Sequence, residues 1–192
     1  GDKAIFGYGY NGSIVSMTNL ISNSGVAAAD VTGVGTARYD LAAAGYGGDK
    51  ALFGYGNSGS RVSLTNLVSN SGVVSADVTG VGTARDQLAA AEYGGDKAIF
   101  GYGYNGSSNV SLTNLVSNTG VVATDVTGVG TVRRFLDATS YGGDKAIFAY
   151  GDTGSKVSMS NLVSSSGVVA SDVTGVGTAR SGLAAAGYST SA

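Results

Sequence analysis

The chain has 192 residues, enough for one domain with a sizeable core or for a short array of small units. Hydrophobic residues make up 43% of it, which excludes a disordered chain, and charged residues only 12%, about half the usual ~25%. A net charge of −2 without a basic cluster argues against nucleic acid, and no apolar run approaches the ~20 residues of a membrane span.

Neither cysteine nor histidine is present, which removes disulfides, thiol chemistry and the common zinc ligands. Glycine is abundant, at 33 residues, and proline is absent. Without a three-residue period this is not collagen, so the glycines mark turns and close backbone approaches.

The phrase Gly1-Asp2-Lys3-Ala4-Ile5-Phe6 returns at Gly48, Gly95 and Gly143, at spacings of 47, 47 and 48 residues. Each copy runs on through Asn-Leu to a glycine and then to Asp-Val-Thr-Gly-Val-Gly-Thr-x-Arg, ending at Arg38, Arg85, Arg133 and Arg180. The chain therefore divides into four tandem units, 1–47, 48–94, 95–142 and 143–192, expected to build one domain over 1–192.

In chain order, 3–8 is the first predicted strand of the first copy. It is followed by 15–21, where Val15 and Met17 alternate with Ser16 and Thr18, and by 26–31. Asn-Gly-Ser and Asn-Ser-Gly separate them and suit tight turns. The alanine-rich run 41–46 recurs at 88–93, 136–141 and 183–188. At six residues between glycines it is too short for a helix, and a fourth strand is expected there. Four short antiparallel strands per unit predict an all-β protein of propeller blades.

The stretch from Thr36-Ala37-Arg38 through Leu41-Ala42-Ala43-Ala44-Gly45-Tyr46-Gly47 to Leu52-Phe53-Gly54-Tyr55-Gly56 resembles a kelch repeat. That family places an arginine before a small-residue strand, then a turn and an aliphatic–aromatic strand ending in paired glycines. The third strand carries Asn near a hydrophobic pair, as Asn66-Leu67 does. The resemblance covers nearly the whole chain, with departures: the double glycine is split into Gly-Tyr-Gly, Ala149 replaces its first glycine in the fourth copy, and there is no tryptophan. The repeats also resemble those of long structural proteins of marine tailed phages, on the phrase Gly-Asp-Lys-Ala-Ile-Phe-Gly-Tyr-Gly and the lack of proline and cysteine.

The kelch resemblance implies a β-propeller of four four-stranded blades with the alanine-rich strands innermost. The chain starts on a second strand and ends after a first. The expected closure is therefore the C-terminal run 183–188 completing the N-terminal blade, in a monomer. The alternative is a homodimer, two chains forming one eight-bladed ring.

Of the 11 basic and 13 acidic side chains, most recur in register: Asp2, Lys3, Asp30, Arg38 and their equivalents, among them Asp77, Arg85, Asp125, Arg133, Asp172 and Arg180. Turn caps and blade-to-blade ion pairs are expected, with Arg38 and Asp30 as the foremost partly buried pair. The alternative is a set lining a central channel. Asp40, Arg61, Asp86, Glu92, Arg134, Asp137, Asp152 and Lys156 do not recur. They read either as solvated loop residues or as a specific contact surface.

Phe6, Phe53, Phe100 and Phe148 recur and are expected in the core. Tyr8, Tyr55, Tyr102 and Tyr150, two residues on, are expected on the same strand face, packing between blades with hydroxyls bonded to backbone. Tyr10 and Tyr104 do not recur and stand beside Asn-Gly, which suits carbohydrate or protein contact. With Arg61, Arg134 and Lys156 they form the candidate contact set.

Catalysis is not expected. Serine has no histidine base, near-identical repeats give the aspartates near-identical environments, and Gly7-Tyr8-Gly9-Tyr10-Asn11-Gly12 opens no helix. No metal or cofactor is expected either. The sequence predicts a non-enzymatic structural or binding module, such as a virion or cell-surface adhesion component. Its alternatives are a lectin with repeated sites and an intracellular kelch-type adaptor. A virion or extracellular location is favoured over a cytoplasmic one.

Overall fold

The Gly-Gly-Asp phrase works as a hairpin loop. Gly47 and Gly48 both have positive φ, and the strands either side close on the pair Tyr46–Lys50. The computed structural model describes residues 2–188, and every regular element among them is a β-strand. Among the described residues there is accordingly no helix long and apolar enough to cross a membrane.

The first sheet contains β1 (Ala4–Tyr10) and β2 (Ile14–Ile21). Three three-stranded antiparallel sheets follow: β3 (Ala42–Tyr46), β4 (Lys50–Gly54) and β5 (Thr65–Val68); then β6 (Ala89–Tyr93), β7 (Lys97–Gly101) and β8 (Thr113–Val116); then β9 (Asp137–Tyr141), β10 (Lys145–Ala149) and β11 (Ser160–Val163). The register is identical throughout, for Phe6, Phe53, Phe100 and Phe148 lie opposite Asn19, Asn66, Asn114 and Asn161.

The alanine-rich runs of the first three copies are the strands β3, β6 and β9, as expected, whereas the fourth, 183–188, is not a strand. The predicted strand over 26–31 is instead a segment held by isolated bridges, Thr18 to Val31 and Ile21 to Ala27. The cause is one extra residue. The Ala28 amide bonds to Leu20 O, yet Val31 bonds to Thr18, so three steps on one side match two on the other. The Asn19 side chain reaches into this bulge, donating to Ala28 O and Asp30 Oδ1.

The Gly-Tyr-Gly element also departs from simple alternation. Tyr8, Tyr55, Tyr102 and Tyr150 all have φ between 62° and 64°, a left-handed conformation that bulky residues avoid. The register of β1 shifts at this point, between Gly7 and Gly9. The tyrosine therefore does not share the phenylalanine's face, and its ring swings towards the following sheet. The Tyr55 ring meets Phe100 edge-on at 5.0 Å, its hydroxyl donates to Val81 O, and the Arg85 guanidinium lies 4.2 Å from its centroid. Such strain costs about 1–3 kcal/mol per site, which burying the ring (about 1.5–3 kcal/mol) and the cation contact (about 2 kcal/mol when desolvated) together exceed.

Successive sheets pack in chain order, with one core cluster per joint. Tyr46, Leu52 and Tyr55 meet Leu88, Ala98 and Phe100 at the second joint. Ala89, Ile99 and Tyr102 meet Leu136, Ala146 and Phe148 at the third. The first joint buries less, with Tyr8, Phe53 and Val68 at its centre. The alanine-rich strands stand beside one another, β3 against β6 and β6 against β9. Beside them runs a backbone chain in which Gln87 N donates to Asp40 O, Phe135 N to Gln87 O and Gly182 N to Phe135 O.

The expected intrachain closure is not in place. Among the described residues β1 pairs with β2 alone, and Phe6 is 66% exposed where Phe100 is fully buried. Residues 183–188 do not form a strand with β1. They lie against β9 instead, the Ala185 amide donating to Asp137 Oδ2. This run follows the backbone chain ending at Gly182 and occupies the next place in the stack after β9.

Candidate functional site

Two sets of polar residues have to be separated, those that hold the joints and those that face outwards. The recurring set holds the joints. Arg38 does not pair with Asp30. The chain crosses into the next unit between them, which delivers Arg38 to Asp77 at 4.0 Å and to Asn66 Oδ1 at 2.6 Å. The Arg38 and Arg85 side chains are fully buried, and Arg85 repeats the arrangement with Asp125 and Asn114. Asp77 in turn accepts from the Thr36 amide and hydroxyl and from Asn66 Nδ2.

Burial pushes the Arg38, Arg85 and Arg133 pKa values down from the ordinary arginine value, partly offset by the tyrosine and the aspartate beside each. Burial would raise the carboxyls of Asp77, Asp125 and Asp172, but the threonine, asparagine and arginine donors hold them below the usual aspartate range. Tyr102, desolvated in the third joint, is pushed up to about 12. Arg133 bonds to Tyr150 O as Arg85 does to Tyr102 O, but its second contact goes to Phe148 O instead of the asparagine, leaving buried Asn161 Oδ1 without a hydrogen bond among the described residues.

At the two ends the same residues are half-used. Asp30 is exposed and engages Asn19 of its own unit. Arg180 is exposed and lies 3.8 Å over Tyr150, bonded to Thr178 O. No group of His, Cys, Asp or Glu among the described residues could hold a metal.

The residues that do not recur behave differently. The residue after each joint arginine (Tyr39, Asp86, Arg134) exchanges two backbone hydrogen bonds with the loop residue after Gly-Tyr-Gly in the next unit (Asn57, Tyr104, Asp152). A third residue completes each row, Arg61, Asn109 or Lys156. The scaffold is constant, while the side chains on it change from row to row.

The rows also touch each other. Tyr10 and Tyr39 stand 6.2 Å apart, and Asn57 Nδ2 donates to Asp86 Oδ2. The Tyr104 ring has Arg61 4.6 Å from its centroid and Arg134 at 5.0 Å. Arg61 Nε lies 3.2 Å from Asp86 Oδ2, though its N–H is not directed along a hydrogen bond. Asp86 is 1% exposed, and its Oδ1 is buried without a partner among the described residues. Lys156 pairs with Asp152 at 3.0 Å while its side chain remains mostly exposed.

All five candidate residues therefore lie along one ridge formed by the loops after Gly-Tyr-Gly. Tyr10, 68% exposed, stands at one end and Lys156 at the other, with Arg61, Tyr104 and Arg134 stacked between. Reasoning from charge alone missed Tyr39, Asn57 and Asn109. Comparing the copies for any polar difference, not only for charge, finds them. Glu92 and Asp137 lie elsewhere, on the alanine-rich strands, where burial raises both carboxyls.

Scanned against protein-family models and curated proteins, the chain finds no match in either.

Proposed function

We propose that this chain is a non-enzymatic structural or binding module of kelch-like blades that presents the loop ridge to a protein or carbohydrate partner, as a virion or cell-surface component would. The observation that carries this reading is the division of labour between copies. Residues that hold the joints are kept in every unit, while those on the ridge differ from row to row. A purely packing role would leave no reason for the difference to collect on one face. Arginine, tyrosine and asparagine are also the side chains that contact surfaces favour.

The side-by-side alanine strands and the backbone chain beside them support an arrangement of blades about an axis. Among the described residues β1 pairs with β2 alone, which favours the two-chain ring over closure within one chain. A lectin with one equal site per unit is less well supported, because no two rows carry the same residues.

A glycan array probed with the wild-type chain and with Tyr10→Ser, Arg61→Ala and Arg134→Ala variants tests the reading. Binding that the ridge variants abolish and Lys50→Ala leaves unchanged supports it for carbohydrate. A signal indifferent to all three ridge variants sinks the ridge as the site. No glycan signal leaves a protein partner, to be sought with a photo-crosslinker at position 10 or 156.

A further inference from the structure

The three joints inside the chain define what a joint needs, and the two ends carry its two halves. The preceding face supplies a Tyr in the left-handed conformation, a Thr-x-Arg and an alanine-rich strand. The following face supplies a Phe, an Asn, an Asp and a strand to pair with. The N-terminal face has Phe6, Asn19 and Asp30 exposed or half-buried, and among the described residues β1 pairs with β2 alone. The C-terminal face has Tyr150, Thr178 and Arg180, and the run Leu183-Ala184-Ala185-Ala186-Gly187-Tyr188 is exposed apart from Leu183.

Beside β1 runs a groove of about 580 Å³, its lining including the apolar Ile5, Ala43, Phe53 and Val68 and the charged Lys3 and Glu92. At the next joint the corresponding place is taken by β3, which pairs with β4 and lies against β6. The groove is therefore shaped for an alanine-rich strand, and residues 183–188 have the same sequence as 41–46.

We infer that two copies of this chain join head to tail, residues 183–188 of one filling the groove beside β1 of the other. The register follows from the β3–β4 pairing, where Ala42 faces Gly54 and Tyr46 faces Lys50. Ala184 then faces Gly7 of the second copy, and Tyr188 faces its Lys3. Arg180 reaches Asn19 and Asp30 of the second copy as Arg38 reaches Asn66 and Asp77.

One residue weakens this joint. A Cβ at Gly54 would lie 2.5 Å from Phe100 Cζ, and one at Gly101 would lie 2.6 Å from Phe148 Cζ. Ala149 carries that Cβ, so an incoming Phe6 must tilt. The looser first joint, where a Cβ at Gly7 would lie 3.1 Å from Phe53, shows that a joint tolerates a wider seating. Association between copies is thus reversible, and Ala149 sets its strength. The inference deepens the structural-module reading and supplies its partner as a second copy; the contacts themselves do not depend on what the ridge binds.

Sedimentation equilibrium of the 192-residue chain tests it. The mean mass of the wild type should rise with concentration, and Ala149→Gly should reach the same mean mass at about tenfold lower concentration. Phe6→Asp and Arg180→Glu, both at exposed positions, should each be monomeric. Mixed, they should give a dimer and no more, since each retains the face the other has lost. A single-chain mass for wild type and Ala149→Gly at every concentration overturns the inference, as does a mixture that stays monomeric. Ridge binding that persists in a monomeric chain would leave the binding-module reading standing.

Discussion

Arg38, Arg85 and Arg133 are the largest fully buried side chains in the molecule, and Arg180, from the same motif, is exposed. The series compares one residue in two environments. Arg85→Ala removes a guanidinium from between Tyr55, Asn114 and Asp125 and should cost about 3–5 kcal/mol. Arg85→Lys should recover little, because an ammonium cannot reproduce the fork that bonds Tyr102 O, Thr83 O and Asn114 together. Arg180→Ala should change stability by less than about 0.5 kcal/mol. Urea unfolding of the three variants measures the contrast.

The carboxylates give a pH signature with two signs. The Asp125 pKa is lowered on folding, so its contribution is present above the ordinary value of 3.8 and disappears as pH falls through the folded value. Asp125→Asn should therefore be destabilised most at neutral pH, by about 1.5–3 kcal/mol, and converge on the wild type as pH falls through the lowered folded value. Glu92 runs the other way. Burial raises its pKa above 4.5, so its ionised form opposes folding as pH rises through that range. Glu92→Gln should be more stable than wild type at neutral pH and equal to it in acid. Unfolding curves across pH distinguish the two.

Within an element, the controlling residues are those where backbone meets a neighbouring side chain. Gly101 has an ordinary φ, so only space requires glycine there, the Phe148 ring lying against its backbone. Gly101→Ala should cost about 1–3 kcal/mol by overpacking, and adding Phe148→Leu should recover part of it, as a double-mutant cycle would show. The Gly-Gly-Asp and Asn-Gly turns, the alanine-rich strands and the Phe–Asn register were all legible in the repeat. The segment 26–31 was misread as a strand because its valines and alanines suit one. The extra residue that makes it a bulge shows only when its hydrogen bonds are counted. The tyrosine was misplaced for a related reason. Period-two reasoning puts it on the phenylalanine's face, whereas a left-handed residue between two glycines rotates it off that face.

At the scale of the molecule each unit is stabilised mainly by its neighbours, so stability should grow with the number of joints. Removing 143–192 takes away β10 and β11, and with them Ala146, Phe148 and Val163 of the third joint, yet should leave a cooperatively folded chain of lower stability. Removing only 183–192 should barely shift the melting temperature, since 183–188 adds little buried surface in a single chain. Circular dichroism melts of the two truncations check this.

The sequence by itself determined the four units, their boundaries, the all-β class and the separation of kept from changing residues. All of these depend on local spacing and on comparison between copies. Only the tertiary structure decided that Arg38 belongs to Asp77 rather than Asp30, that the changing residues share one ridge, and that 183–188 lies against β9 rather than β1. Each of those depends on how one unit is placed on the next. In a tandem repeat every copy offers the same partners, so spacing along the chain cannot say which copy supplies the contact.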